Sequence, residues 1–286
     1  MLRRGFWLLC IVVVALAVYL PRYWLSQQPV VIATDQLEQL TEQQRQVTIY
    51  TEVPDFNEYT DVRDKKQAFF QFLAPLVRAE NMLIEEQRAI LLVLYHRWQQ
   101  DPSALAGDDL EFLEQLAVEY RTDFDLSADS GMFVSLLRRV DVVPETLILV
   151  QAANESGWGT SRFARDGLNF FGQWCFRDGC GMVPENRLEG MNHEVRKFKS
   201  VNASIRSYLR NINTHPAYFE LRLLREQRRA EGKDIRALDL TPGLLSYSER
   251  GEEYIDELNS MIRVNRPIII DLIDAEKPPN LDPPPE

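Results

Sequence analysis

Histidine is scarce in this sequence, which has only His96, His193 and His215 among 286 residues. None of the three stands in the His-Glu-x-x-His spacing that sets two zinc ligands on one face of a helix. This scarcity argues against a metalloprotease. No motif for a resident metal or an organic cofactor is found, and none is expected.

The sequence also lacks an excess of basic residues, because the formal net charge is -11. Nucleic-acid binding proteins need a basic face to neutralise phosphates, so nucleic acid is not expected as a partner. A hydrophobic content of 45% supports a packed core. The charge alone identifies no ligand.

An apolar run of full membrane length is missing, although residues 6–20 come close to one. About 20 apolar residues are needed for a transmembrane helix. Arg3 and Arg4 precede the run, and Ala15-Leu16-Ala17 offers a cleavage site, as in a secretory signal. The following segment, 21–25, contains aromatic residues that are typical of a membrane interface, so an uncleaved membrane anchor is the alternative. We expect residues 1–25 to be a signal peptide or anchor and the rest of the chain to be exported.

Only three cysteines occur, and Cys10 lies in the N-terminal apolar run. Cys175 and Cys180 are five residues apart, and in an oxidising compartment such a pair favours a disulfide that closes a turn. Two free thiols are the alternative. A zinc site is disfavoured because no histidine lies near this turn in sequence.

Hydrophobic periodicity predicts a mainly α-helical chain. Residues 26–60 are polar and predict a linker with a short helix near 36–46, and residues 61–140 predict four helices, two of them around residues 69–76 and 85–99. Residues 169–199 change period and predict a small antiparallel β-ribbon. The catalytic domain is expected over residues 141–268. Residues 269–286 are predicted to form a disordered proline-rich tail.

One carboxylate stands out, that of Glu155 in the segment Asn154–Gly159. The preceding segment, 146–153, is apolar on nearly every side, which predicts a buried helix after Pro144. Gly157 is able to end this helix in the left-handed conformation. A carboxyl group at that boundary is partly desolvated, which raises its pKa and suits a general acid. A solvated, inert Glu near a helix end is the alternative.

Four motifs in order resemble the bacterial glucosaminidase family of peptidoglycan hydrolases, which includes cell-separation autolysins. They are residues 152–161, Asn169-Phe170-Phe171-Gly172, residues 196–200 and Pro216-Ala217-Tyr218. Cys175 with Cys180, residues 211–216 and residues 247–251 resemble one branch of that family more closely.

The resemblance implies a lysozyme-like helical domain with a small antiparallel β-ribbon beside the cleft, an α+β variant of a mainly α fold. It implies hydrolysis of β-1,4 bonds after N-acetylglucosamine in peptidoglycan strands, the expected partner, with Glu155 as general acid. Tyr218 is implied in catalysis. Trp158, Asn169, Phe171 and Gly172 are implied in substrate binding, with core packing as the alternative for Trp158 and Phe171. A bacterial hydrolase of this kind is expected in the periplasm, anchored to the inner membrane if residues 6–20 are retained.

The second catalytic group is open. Glycosidases usually use two carboxylates about 5–5.5 Å or about 6.5–9.5 Å apart. The ribbon offers Glu185, Glu189 and Glu194, of which Glu194 is preferred because it precedes the strand at Val195. Alternatively no second carboxylate acts, and the acetamido group of the substrate or a water held by Tyr218 replaces it. A lytic transglycosylase and an inactive glycan-binding protein are the rival functions.

Overall fold

The computed structural model describes residues 48–127, 131–185, 187, 190 and 192–275, with side chains to residue 272. The predicted signal or anchor, the short helix near 36–46 and Glu189 lie outside the described residues. Within the described part of the chain, no helix combines the length and the apolar character that a membrane span needs.

The chain is mainly helical, as predicted. The helices that we number are α1 (Val62–Gln100), α2 (Asp108–Glu119), α3 (Met132–Arg139), α4 (Glu145–Ser156), α5 (Arg162–Gly167), α6 (Val201–Thr214), α7 (Phe219–Ala230), α8 (Ala237–Leu240) and α9 (Glu252–Ala275). Three short 3-10 helices connect them, at Pro102–Ala104, Pro216–Tyr218 and Thr241–Tyr247.

Helix α1 is longer than the sequence predicts, because it joins the two helices expected around residues 69–76 and 85–99. Its first turn is capped by Asp61, whose side chain accepts hydrogen bonds from the backbone N–H groups of Arg63 and Asp64. Pro75 lies inside it and removes one helical hydrogen bond. The helix continues because its apolar face is fully buried on both sides of the proline, at Leu73 before it and at Val77 after it.

Helix α4 lies at the centre of the core, as predicted from its apolar composition. Its side chains from Leu147 to Ala153 are all fully buried, and it contacts α1, α8 and α9. Asn81 of α1 donates a hydrogen bond from Nδ2 to the carbonyl of Val143, 2.8 Å away, and Arg78 pairs with Glu145. The N-terminal helices therefore pack on the part of the chain that carries Glu155.

The ribbon is a three-stranded antiparallel sheet of β1 (Trp174–Cys175), β2 (Gly181–Met182) and β3 (Glu194–Arg196). The strand order is β1-β3-β2, so β3 pairs with both others through Val195. The prediction of a small antiparallel ribbon is confirmed. Gly181 is needed here because a Cβ atom would lie 2.1 Å from the carbonyl oxygen of Val195.

Two predicted boundaries are wrong. Residues 48–60 were assigned to a linker, yet Phe56 is buried against Phe69 and the carbonyl of Tyr50 accepts a hydrogen bond from the N–H of Val201. The predicted tail starts at 269, yet α9 continues to Ala275 through Pro267, and Ile269 is fully buried. In both segments buried apolar side chains, Phe56 in the first and Ile269 in the second, join the core.

Candidate active site

Glu155 lies in the last turn of α4, where the buried helix reaches the surface. Gly157 has φ 58° and ends the helix in the left-handed conformation, as predicted. The hydroxyl of Ser156 donates to the carbonyl of Ala152 at 2.6 Å and accepts from the N–H of Gly159 at 2.8 Å. These bonds fix the chain on both sides of Glu155, whose side chain is half-buried.

The loop after α5 passes over the Glu155 carboxylate at Gly172. A Cβ atom on Gly172 would lie 3.9 Å from Oε2 of Glu155, and the φ of Gly172 is 64°. Glycine satisfies this backbone conformation and leaves the space above the carboxylate open.

Asn169 holds that loop in place. Its Nδ2 donates to the carbonyls of Gln173 and Arg196, both at 2.9 Å, and its Oδ1 accepts from the N–H groups of Phe171 and Gln173. The side chain is buried and its hydrogen-bonding capacity is used by the backbone. Asn169 therefore shapes the site from behind, and these bonds argue against the direct sugar contact that its motif implied.

A chain of hydrogen bonds reaches Glu155 from the core. The Tyr208 hydroxyl donates to Oε1 of Gln151 at 2.5 Å, and Nε2 of Gln151 donates to the Tyr254 hydroxyl at 3.0 Å. The Tyr254 hydroxyl in turn acts on Glu155 as a donor and lowers the pKa of that carboxyl group. Gln151 lies one turn before Glu155 on α4, so both side chains leave the helix on the same side.

Two further tyrosines complete the surroundings of Glu155. Tyr247 donates from its hydroxyl to the carbonyl of Phe171 at 3.1 Å and stacks on Tyr254 with ring centroids 5.6 Å apart. The ring of Tyr218 lies 6.0 Å from that of Tyr247. After burial, the negative charge of Glu155 contributes to a raised pKa in both tyrosines.

Burial raises the pKa of Glu155 above its ordinary value, as predicted for this position. The hydrogen bond from Tyr254 and the charge of Arg250 act in the opposite direction and lower the pKa, but burial is the larger effect. The carboxyl group is thereby moved toward the protonated form that a general acid requires.

Arg250 and Glu257 form an ion pair at the edge of the site, with 2.6 Å between Nη2 and Oε2. The Arg250 guanidinium lies over the Tyr254 ring at 5.6 Å, and the charge of Glu257 raises the pKa of Glu155 slightly. Both side chains are about half-exposed. Glu257 is a carboxylate near Glu155 that the sequence analysis did not consider.

Trp158 and Phe171 make the packing contacts that were kept as the alternative to sugar binding. Trp158 meets Phe69 and Phe70 of α1 edge-on, with centroids 5.7 and 5.4 Å away, and Lys66 Nζ lies 4.9 Å from its ring. Phe171 is buried and stacks on Tyr208 at 4.1 Å.

The disulfide between Cys175 and Cys180 is confirmed, with 6.2 Å between the Cα atoms. Glu194 lies against it, and its carboxylate accepts hydrogen bonds from the N–H groups of Gly179 at 3.0 Å and Gly181 at 2.7 Å. These bonds lower the pKa of Glu194. Because both oxygens hold the turn between β1 and β2, the contacts argue against Glu194 as the group that activates water.

The other predicted carboxylate that the structure describes is Glu185. Its side chain is 81% exposed and lies 3.9 Å from Arg162 Nη1. His193 lies 13 positions after Cys180 in sequence. Its ring nevertheless stacks on Trp174, next to the cysteine turn, at 4.1 Å, because β3 pairs with β1.

The residues that sequence reasoning missed are Gln151, Tyr208, Tyr247, Tyr254, Arg250 and Glu257. The sequence did contain a signal for Gln151. It is the one amide side chain in the apolar segment 146–153, and a buried polar side chain requires a hydrogen-bond partner. Tyr247 and Arg250 fall in the quoted segment 247–251, which was used only for the resemblance.

Comparison with known proteins agrees with this geometry. Residues 131–266 match the family model described as mannosyl-glycoprotein endo-beta-N-acetylglucosaminidase, so the chain belongs to the glucosaminidase family of glycosidases, with a glycan as the substrate class. Protein bax of Escherichia coli (strain K12) is 31% identical over 217 residues, which cover 76% of each chain, and it represents the branch whose motifs the sequence resembles. No solved structure matches the chain significantly.

Proposed function

We propose that the protein hydrolyses β-1,4 glycosidic bonds after N-acetylglucosamine in peptidoglycan, with Glu155 as the general acid. The observation that carries the proposal is the position of the Glu155 carboxyl group: it ends a buried helix, lies beneath Gly172 and has a pKa raised by burial. Such a group donates its proton to the leaving glycosidic oxygen.

The water-activating step is proposed to need no carboxylate of the ribbon. Glu194 holds a turn with both oxygens, and Glu185 is exposed and lies near Arg162. In one version the acetamido oxygen of the substrate attacks the anomeric carbon as the glycosidic bond breaks, and water then opens that cyclic intermediate. In the other version a water held by Tyr218 attacks the anomeric carbon directly. Tyr218 supports the second version because it is buried beside Glu155.

The stereochemistry of the product distinguishes these two versions. Participation of the acetamido group retains the configuration at the anomeric carbon, whereas direct attack by water inverts it. Proton NMR of the reducing end during the first turnovers reads the outcome.

The test of the function compares the wild type with Glu155→Gln on purified glycan strands. The wild type is expected to release fragments that end in N-acetylglucosamine and have gained one water, and Glu155→Gln is expected to release none. Mass spectrometry separates this outcome from an anhydromuramic product, which would instead identify a lytic transglycosylase. If neither protein cleaves the strands, the protein is better explained as a glycan-binding protein without enzymatic activity.

Export to the periplasm remains part of the proposal. The Cys175–Cys180 disulfide supports it, because such bonds persist in oxidising compartments. Cell fractionation combined with the mass of the mature N terminus tests export, and also decides between a cleaved signal and an anchor.

A further inference from the structure

A basic groove lies beside the ribbon and next to the candidate active site. It encloses about 730 Å³, and its lining includes four arginines, Arg121, Arg196, Arg206 and Arg210. No Asp or Glu stands among the described residues that line it. This concentration of positive charge is unexpected in a chain whose net charge is -11.

The groove lies next to the Glu155 site. Gln173 lines it and directly follows Gly172, where a Cβ atom would lie 3.9 Å from Oε2 of Glu155. Asn211 also lines it and acts on Tyr218, whose pKa it lowers. The groove is therefore adjacent to the residues around Glu155.

Two of the four arginines are neutralised from behind by the N-terminal helices. Arg206 forms a two-point ion pair with Glu80, at 2.8 and 2.9 Å, and Arg210 pairs with Glu119 at 2.5 Å. Among the described residues, no carboxylate lies within 4.0 Å of Arg121 or Arg196. These two exposed guanidinium groups carry the uncompensated charge of the groove.

Arg121 is held in the groove by an unusual backbone. Its φ is 53°, a conformation that side-chain-bearing residues rarely adopt. Nη1 of Arg139 donates to the carbonyls of Tyr120 and Arg121 at 2.7 and 2.6 Å and stabilises that conformation. The conformation belongs to the end of α2, where the N–H of Thr122 donates to the carbonyl of Ala117 at 2.8 Å, as in helices that end in a left-handed residue. Arg121 lies outside the residues that the family model matches.

Three aromatic residues, Trp174, Phe176 and Phe198, also line the groove. Trp174 is 51% exposed and Phe176 is 76% exposed on the ribbon, and the Arg196 guanidinium lies 5.8 Å from the Phe198 ring. Exposed aromatic faces suit sugar rings or aliphatic chains. The ligand therefore combines apolar faces with negative charge.

We propose that this groove binds the carboxylate groups carried by the muramic acid units of peptidoglycan, chiefly those of the attached peptide stems. The inference rests on the proposed function. N-acetylglucosamine carries no charge, so a groove that served only the sugars would need no arginine pair. An acidic enzyme also repels an anionic strand unless a local basic surface offsets the repulsion.

The experiment measures binding rather than turnover, using the full chain with Glu155→Gln. Three soluble probes are compared: glycan strands with peptide stems, the same strands after the stems have been removed by an amidase, and a neutral chitin oligosaccharide. Arg121→Gln combined with Arg196→Gln is the test variant. Arg63→Gln is the control, since Arg63 is exposed on α1 and does not line the groove.

The double variant is expected to bind stem-bearing strands about fivefold more weakly, as for the loss of two exposed charge contacts. Its affinity for the neutral oligosaccharide should equal that of the control. The lactyl carboxyl group is an amide in stem-bearing strands and a free carboxylate only after the amidase has acted. Weakening on stem-bearing strands alone therefore assigns the charge to the peptide, and weakening on both probes shows that the groove also accepts the freed lactyl carboxylate. Circular dichroism verifies that both variants are folded.

Three results overturn the proposal. The double variant binds stem-bearing strands as well as the control does, or it loses equal affinity for the neutral oligosaccharide. The third is arginine-dependent binding to phosphatidylglycerol vesicles without any effect on strands, which would make the groove a membrane contact. The binding measurement does not depend on cleavage. The groove proposal can therefore be rejected without rejecting the proposed hydrolase function, and the reverse also holds.

Discussion

Nε2 of Gln151 donates a hydrogen bond to the Tyr254 hydroxyl at 3.0 Å, and this bond determines where the Tyr254 proton points. A hydroxyl that accepts from an amide is free to donate its own hydrogen elsewhere, and the effect of Tyr254 is to lower the pKa of the nearby Glu155 carboxyl group. The relationship ties the general acid to the interior of the protein. It offsets part of the effect of burial and keeps the pKa of Glu155 from rising further.

Tyr254→Phe removes that donor and keeps the ring. The pKa of Glu155 should rise, because the lost bond stabilised the deprotonated form. A general acid acts while protonated, so the basic limb of the pH profile of kcat/KM should move to higher pH. Tyr120→Phe is the control, since its hydroxyl bonds Gln87 far from Glu155. A basic limb that does not move would contradict the assignment of this bond.

Gln151→Leu removes both bonds of the amide. The Tyr208 and Tyr254 hydroxyls are left in the core without this partner, and each unsatisfied buried group costs about 1–3 kcal/mol. The free energy of unfolding, measured by urea denaturation, should fall by about 2–4 kcal/mol. The buried neighbour Val150→Ala gives the cost of lost packing alone, and an equal loss in both variants would show that the hydrogen-bond chain adds nothing.

Gly172→Ala tests the space above the carboxylate. The added methyl group lies 3.9 Å from Oε2 of Glu155, at a φ of 64° that costs alanine about 1 kcal/mol. Gly131→Ala carries the same conformational cost, with φ 63° and open surroundings. We expect similar stability for the two variants but a loss of about tenfold or more in kcat/KM for Gly172→Ala alone, because displaced reacting atoms lower the rate steeply. Equal activity of the two would mean that substrate does not pass between Gly172 and Glu155.

Glu194→Gln separates a turn-holding carboxylate from a catalytic one. Loss of a second catalytic carboxylate would reduce kcat by several orders of magnitude, whereas a loosened turn should raise KM and leave most of kcat. The lowered pKa of Glu194 also predicts a pH effect: its contribution to stability is present above the unfolded pKa near 4.5 and is lost as the pH falls through the lower folded value. Thermal unfolding of wild type and variant should therefore converge in acid. Glu185→Gln, on the exposed part of the ribbon, is the control.

The sequence predicted the buried helix, its glycine end and the carboxylate there, because each follows from local pattern. Leu147–Ala153 can only be buried, and Gly157 can adopt a conformation that ends the helix. The ribbon was recognised in the same way, from its change of period. The cysteine pair was recognised from its spacing and the expected compartment.

The residues around Glu155 could not be predicted in the same way, because their partners lie far along the chain. Tyr254 meets Gln151 across 103 positions, and Tyr208 meets it across 57. Glu194 was preferred from its place beside a strand, but strand pairing carries its carboxylate to the N–H groups of Gly179 and Gly181. Long-range contacts of this kind decide which polar groups already have hydrogen-bond partners. The hydrophobic periodicity of a sequence carries no information about these contacts.

The central claim is tested most directly by the products that the wild type and Glu155→Gln release from purified peptidoglycan strands. The account predicts that the wild type yields fragments ending in N-acetylglucosamine, each heavier by one water, and that Glu155→Gln is folded and inactive. Undiminished cleavage by Glu155→Gln would contradict it.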